Sequence, residues 1–280
     1  MPFSPTSSHQ LLIVLFITLI TVNLPAWCET EAEQNNEDIQ NSIIRYKSAI
    51  EVNPINPETH LHLGRIYLMS GDLNGAILEF TQVTKLSPDN AEGYASLSRA
   101  YWRKGDATSA INSLRQAINL DSNNAEYDYK LALFLTAVEK NEQAITAFQE
   151  AIKINPKHAA SHRDLGAALA LAGNFEAALV EEKAALALTP DDPDALYYLG
   201  NTYAALDNLK AAKESLERSI QVNPQNIDAL RLLASIAAAS GDFTLGLQYA
   251  QAAVHVAPNN KACQETLKKI QTAFAKKKQE

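Results

Sequence analysis

Six of the eleven prolines, Pro54, Pro88, Pro156, Pro190, Pro224 and Pro258, are separated by multiples of 34 residues, and Ser122 holds the one vacant place in the series. A spacing this strict is an internal repeat, and it constrains the fold before any single residue is considered. Seven of the ten glycines obey the same period in two further registers, Gly64, Gly166 and Gly200 in one and Gly71, Gly105, Gly173 and Gly241 in the other. Each block carries two apolar stripes at helical spacing. In the block opening at Pro193, Leu196, Leu199 and Tyr203 fall three and four apart, and Ala212, Leu216 and Ile220 follow beyond Asp207-Asn208 at intervals of four. Between the stripes stand SGD, KGD, AGN, DN and SGD. Gly there supplies the left-handed backbone that ends one helix, and Asp or Asn opens the next. Proline then starts the link to the next block, because it lacks the amide hydrogen that a continuing helix needs. Each block reads as a helical hairpin, too small to be stable unless stacked on its neighbours.

At this level of detail the sequence resembles the tetratricopeptide repeat family. That pattern has bulky residues at positions 4, 7, 11 and 24, small ones at 8, 20 and 27, and Pro at 32. The first unit matches it as His60, Leu63, Gly64, Tyr67, Ala76, Phe80, Val83 and Pro88. The fifth reads Leu196, Leu199, Gly200, Tyr203, Ala212, Leu216, Ser219 and Pro224. Six units follow in order, 57–90, 91–124, 125–158, 159–192, 193–226 and 227–260. A lone second helix over 39–56 precedes them, and a capping helix with a basic tail over 261–280 closes the array. Three departures are expected to loosen packing locally: Asp128 at position 4, Glu182 at position 24 and Gly246 at position 20. The resemblance implies an all-α, right-handed superhelical solenoid of stacked helical hairpins.

The N-terminus reads differently. Leu11–Val22 is an unbroken apolar or Thr stretch, short for a membrane span and of the length of a signal-peptide core. Ala26 and Cys28 supply small residues for a cut before Glu29. Met1–Gln10 contains no Lys or Arg, so residues 1–28 read as a signal peptide or, uncleaved, as a membrane anchor. Either way the rest of the chain is expected to be exported, periplasmic or secreted, or tethered. Residues 29–38 carry five acids and no base, the composition of a solvated neck. Trp27 stands where a lipoprotein signal has a small residue, which argues against lipidation at Cys28. Only Cys28 and Cys263 are present, so no disulfide framework is implied.

Chemistry has few footholds. The 24 Lys and Arg against 32 Asp and Glu argue against nucleic acid as the partner, because neutralising phosphates needs a basic face. His158 and His162 share a helix face, yet no third ligand is near, so neither a metal nor another cofactor is expected. Phosphate-binding loops, nucleophile elbows and zinc-protease signatures are missing from the sequence, and Cys263 has no adjacent His, so the chain reads as no enzyme.

Members of the family commonly hold ligands along first-helix positions 2, 5, 6, 9, 12 and 13. Carried onto this sequence, the resemblance implies a partner-binding groove of His62, Arg65, Leu68, Arg99, Trp102, Arg103, Tyr129, Lys130, Arg163, Tyr197, Tyr198, Asn201 and Arg231. Aromatics among guanidinium groups are a common composition for binding hot spots. Trp102 is expected to turn its indole into the groove, since Tyr101 fills the core position. The two-carboxylate clamp of chaperone-binding members is absent, its places being taken by Arg163, Ala167, Tyr198, Asp228 and Leu232. The expected function is a non-catalytic scaffold binding a protein or peptide segment and supporting assembly of an envelope or exported complex. Pilus or cytochrome assembly factors resemble such chains, and self-assembly through Leu68 and Trp102 is the other reading.

Overall fold

The computed structural model describes residues 36–278, which form two compact bodies, 36–156 and 157–278. The leader, its cut and residues 29–35 of the neck lie outside the described residues. Among the described residues every regular element is an α-helix.

The first body opens with α1 (Asn36–Val52), followed by the hairpins α2 (Pro57–Ser70) with α3 (Leu73–Leu86), α4 (Ala91–Lys104) with α5 (Ala107–Leu120), and α6 (Ala125–Ala137) with α7 (Asn141–Ile154). The second contains α8 (Ala159–Leu171) with α9 (Phe175–Leu188), α10 (Pro193–Ala205) with α11 (Leu209–Val222), and α12 (Ile227–Ala239) with α13 (Phe243–Val256), closed by α14 (Lys261–Lys277). In both bodies a helix packs most heavily on its hairpin partner and next on the helix that follows. The lone first helix begins at Asn36, so the last three residues expected in the neck are helical.

The turns obey the register. Gly71, Gly105, Gly173 and Gly241 have φ between 82° and 86°, and at the two equivalent places without Gly, Glu139 and Asp207 take φ of 59° and 60°. Asn90 accepts the Gly93 amide at 2.9 Å, and Asn226 accepts that of Ala229 at 3.1 Å. Asp72, Asp106 and Asp242 open second helices in the same way. Each such cap contributes about 1 kcal/mol.

Small residues at the crossings are needed for close approach. Ala76, Ala110, Ala144, Ala178 and Ala212 are fully buried. A Cβ on Gly64 would lie 2.6 Å from the Phe80 ring. Phe80 itself anchors a core of Leu61, Leu68, Val83, Leu97 and Ala100. In the second body Leu216, Leu232, Leu233 and Ile236 do the same, and Cys263 and Ile270 of α14 close the end against Leu230, Ala234, Ala250 and Ala253. Lys277 reaches back to the Gly241 carbonyl at 3.3 Å and over the Phe243 ring.

Two of the expected loosenings are tight instead. Glu182 is fully buried, and its Cγ lies where a Cβ on Gly166 would come within 2.6 Å. At Gly246 the α12 backbone comes so close that a Cβ would be 3.0 Å from the Ala234 carbonyl oxygen. Asp128 is 8% exposed, and burial raises its carboxyl above the usual range.

Candidate partner-binding face

In the first body the helix-opening Asn caps and the period place Arg65 on α2, Arg99 on α4 and Lys130 on α6 around one cavity of about 430 Å³. The buried Phe80, Leu114 and Phe134 line it too, together with Leu68, Met69, Ser98, Tyr127 and the exposed Glu92. Glu92 of α4 pairs with Arg65 of α2. Glu126 lies 3.2 Å from Lys130 on α6. Arg103 is exposed and donates to the Leu68 carbonyl oxygen across the hairpins. His62 is half-buried and stacks on Tyr46 of α1, with ring centroids 5.5 Å apart.

Three groove residues behave otherwise than expected. Trp102 is half-buried, and its indole lies flat on Phe134 of the next hairpin, with centroids 4.0 Å apart and planes 5° from parallel. It braces the stack instead of standing free. Leu68 is 3% exposed and belongs to the core around Phe80. Tyr129 is 7% exposed and leans on Phe148 of α7, because α6 is rolled so that this position faces its own hairpin partner. The buried Leu68 and stacked Trp102 withdraw the self-assembly surface argued from them.

The second body offers different chemistry. Arg163 is held by Asp164 at 2.7 Å and by Asp192 at 3.2 Å. Arg231 is 5% exposed and pairs with Asp228 at 3.2 Å. These two arginines are therefore neutralised within the chain and do not continue a basic stripe. Burial raises the carboxyls of Asp194 and Asp228, with Arg163 and Arg231 respectively opposing it. Tyr197 and Tyr198, centroids 5.4 Å apart, have their phenols pushed up chiefly by burial, so both hydroxyls stay protonated. Asn201 is half-buried on the same helix.

The histidines have structural partners. His158 caps α8 by accepting the Ser161 amide at 3.2 Å. His60 and His162, both at position 4, lie 2.6 and 2.7 Å from Glu79 and Glu181, each 19 residues further on. Among the described residues no group of three or more His, Cys, Asp or Glu could hold a metal ion. Sequence reasoning missed Glu92, Ser98, Tyr127 and Phe134; only Glu92, at a groove position, carried a usable signal.

The repeats are matched by known proteins. A family model described as the cilia and flagella-associated protein 70 C-terminal domain, a tetratricopeptide domain, matches residues 25–229. No curated protein sequence matches the chain. The crystal structure of YrrB, whose title calls it a tetratricopeptide protein with an unusual peptide-binding site, is 24% identical with a TM-score of 0.59, over 67% of this chain and 96% of that one. PilF of Pseudomonas aeruginosa is 20% identical with a TM-score of 0.64, over 75% of this chain and 95% of its own. The C-terminal part of a repeat protein from Cytophaga hutchinsonii is 15% identical with a TM-score of 0.68, over 83% and 95%. These likenesses carry the fold, and proteins of this fold are generally non-catalytic interaction scaffolds. With a family model covering most of the repeats, and with caps, turns and crossings in the expected register, the chain belongs to this family of tetratricopeptide-repeat domains.

Proposed function

We propose that the chain is a non-catalytic scaffold that holds a segment of another polypeptide against the first-helix face of residues 57–137. The observation that carries this reading is the cavity among α2, α4 and α6, where Arg65, Arg99 and Lys130 stand over buried aromatic and aliphatic side chains. Polar groups over an apolar floor are the composition of a binding pocket, and its volume falls in the usual range of about 300–1,000 Å³. The apolar stretch Leu11–Val22 further supports an exported or membrane-tethered setting, where the scaffold would serve assembly of an envelope complex.

Crosslinking in the native host, followed by capture of the full chain and of Arg99→Glu, tests the reading. A partner crosslinked to residues 57–137 in the wild type and lost in the variant is the expected result. Retention of every partner in a folded Arg99→Glu protein would move the site off this face. Recovery of the protein from a fraction without membrane or exported material, with residues 1–28 intact, would overturn the setting.

A further inference from the structure

The groove reading leaves the ligand's chemistry open, and the cavity's own charges narrow it. Resting on that reading, we propose that the cavity among α2, α4 and α6 selects an acidic segment of a partner protein, one that brings a bulky apolar side chain between its carboxylates.

The chain as a whole carries a formal charge of −8, yet Arg65, Arg99 and Lys130 line this one space against Glu92 alone. Gathering like charges around a partly enclosed space works against folding unless negative charge is brought to it. The structure already contains a fragment of that answer. Glu92 reaches across from α4 to the Arg65 guanidinium of α2, a carboxylate held by the cavity's cations. It is more than half exposed, so an arriving carboxylate can displace it. Ser98 adds a second, independent feature. Its hydroxyl is 1% exposed, lines the cavity and makes no hydrogen bond within the protein, so it is a donor for a ligand's carboxylate or peptide carbonyl.

Beneath the charges, Phe80, Leu114 and Phe134 offer an apolar surface that an acid-only segment would leave unfilled. A bulky side chain buried there contributes about 1.5–3 kcal/mol, while the charges set specificity and encounter rate more than affinity. The first-helix face of the second body, with Asp164, Asp192, Asp194 and Asp228 around Arg163 and Arg231, presents the opposite sign and would not hold such a segment.

The test is fluorescence anisotropy on the full chain with three labelled peptides: one with a Leu-Phe pair between runs of Glu, the same peptide with Lys for Glu, and residues 29–38 of this chain. The Glu peptide is expected to bind and to weaken with added salt, and the Lys peptide not to bind. Glu92→Gln should tighten the Glu peptide about threefold or more by releasing Arg65, a gain that a merely structural role would not produce. Lys130→Glu, checked by circular dichroism for an unchanged fold, should weaken it about tenfold. Equal binding of the Glu and Lys peptides, or no tightening in Glu92→Gln, overturns the charge selection. Equal binding of residues 29–38, which contain no bulky apolar side chain, overturns the apolar requirement. If none of the peptides binds while Arg99→Glu still loses its crosslinked partner, the ligand class is wrong and the groove reading stands.

Discussion

A single side chain can set how the protein answers to pH. Glu182 occupies the bulky position of α9 with 0% exposure, and one carboxylate oxygen, Oε1, accepts from Thr202 at 2.7 Å while Oε2 has no hydrogen-bond partner. Burial pushes its carboxyl up to about 7 from 4.5, against smaller opposing contributions from Thr202 and Lys183. Below pH 4.5 the group is protonated whether the chain is folded or not, so the full stability is present. As pH rises the unfolded chain ionises first, and stability is lost until the folded carboxyl ionises near pH 7. The complete loss amounts to about 3 kcal/mol. Glu182→Gln keeps the shape and the acceptor for Thr202 without the ionisation. Thermal melts should therefore show little difference between variant and wild type at pH 4.5, and a clear gain for the variant at pH 8. An equal difference at both pH values would mean that ionisation of Glu182 has no part in it. The sequence marks this residue as a departure from the repeat. It does not reveal that the departure is buried, because that depends on Gly166 leaving room for it on α8.

At the scale of elements, α1 is half of a hairpin. Position 27 is fully buried or nearly so in every complete unit, at Val83, Ala117, Ala151, Ala185, Ser219 and Ala253. The equivalent Ala49 on α1 is exposed, as are Ile44 at 63% and Val52 at 87%. The helix keeps its packing on α2, partly through Ile43 and the Tyr46–His62 stack, and lacks the larger contribution that a hairpin partner brings. Amides of α1 should accordingly exchange with deuterium well before those of α3, whose Phe80 and Val83 are fully buried. Matching protection in the two helices would show that something covers α1. Helix existence, hairpin turns and crossing points were legible in the sequence, because each rests on a residue type that recurs every 34 residues. Side-chain direction on the groove face was not. Tyr129 and Trp102 occupy groove positions by number, yet a modest roll of one helix and a flat stack on Phe134 decide where they point.

Across the whole molecule, stability comes from neighbours. Hairpins contact those adjacent in sequence within each body, so a lesion should stay local. Phe80→Ala removes the centre of the α2–α5 core and is expected to cost about 3–5 kcal/mol there. Hydrogen exchange should rise across α2–α5, while residues 193–260 keep their protection. Loss of protection throughout would mean that the chain unfolds as one cooperative unit. Charge was the least legible property at this scale. Arg65 with Glu92, and Arg218 with Asp191, are pairs separated by 27 residues that join neighbouring units, and counting arginines on a helix face passes over them. The capping pattern described above has a bearing on heredity. Most helix ends within a block are closed by residues of that same block, with the opening Asn or Asp supplied at the seam. A gene could thus lose or copy a block bounded at those seams, and the surviving ends would still find their caps. Lineages carrying this chain would then differ in how many blocks they hold more readily than in the make-up of any one.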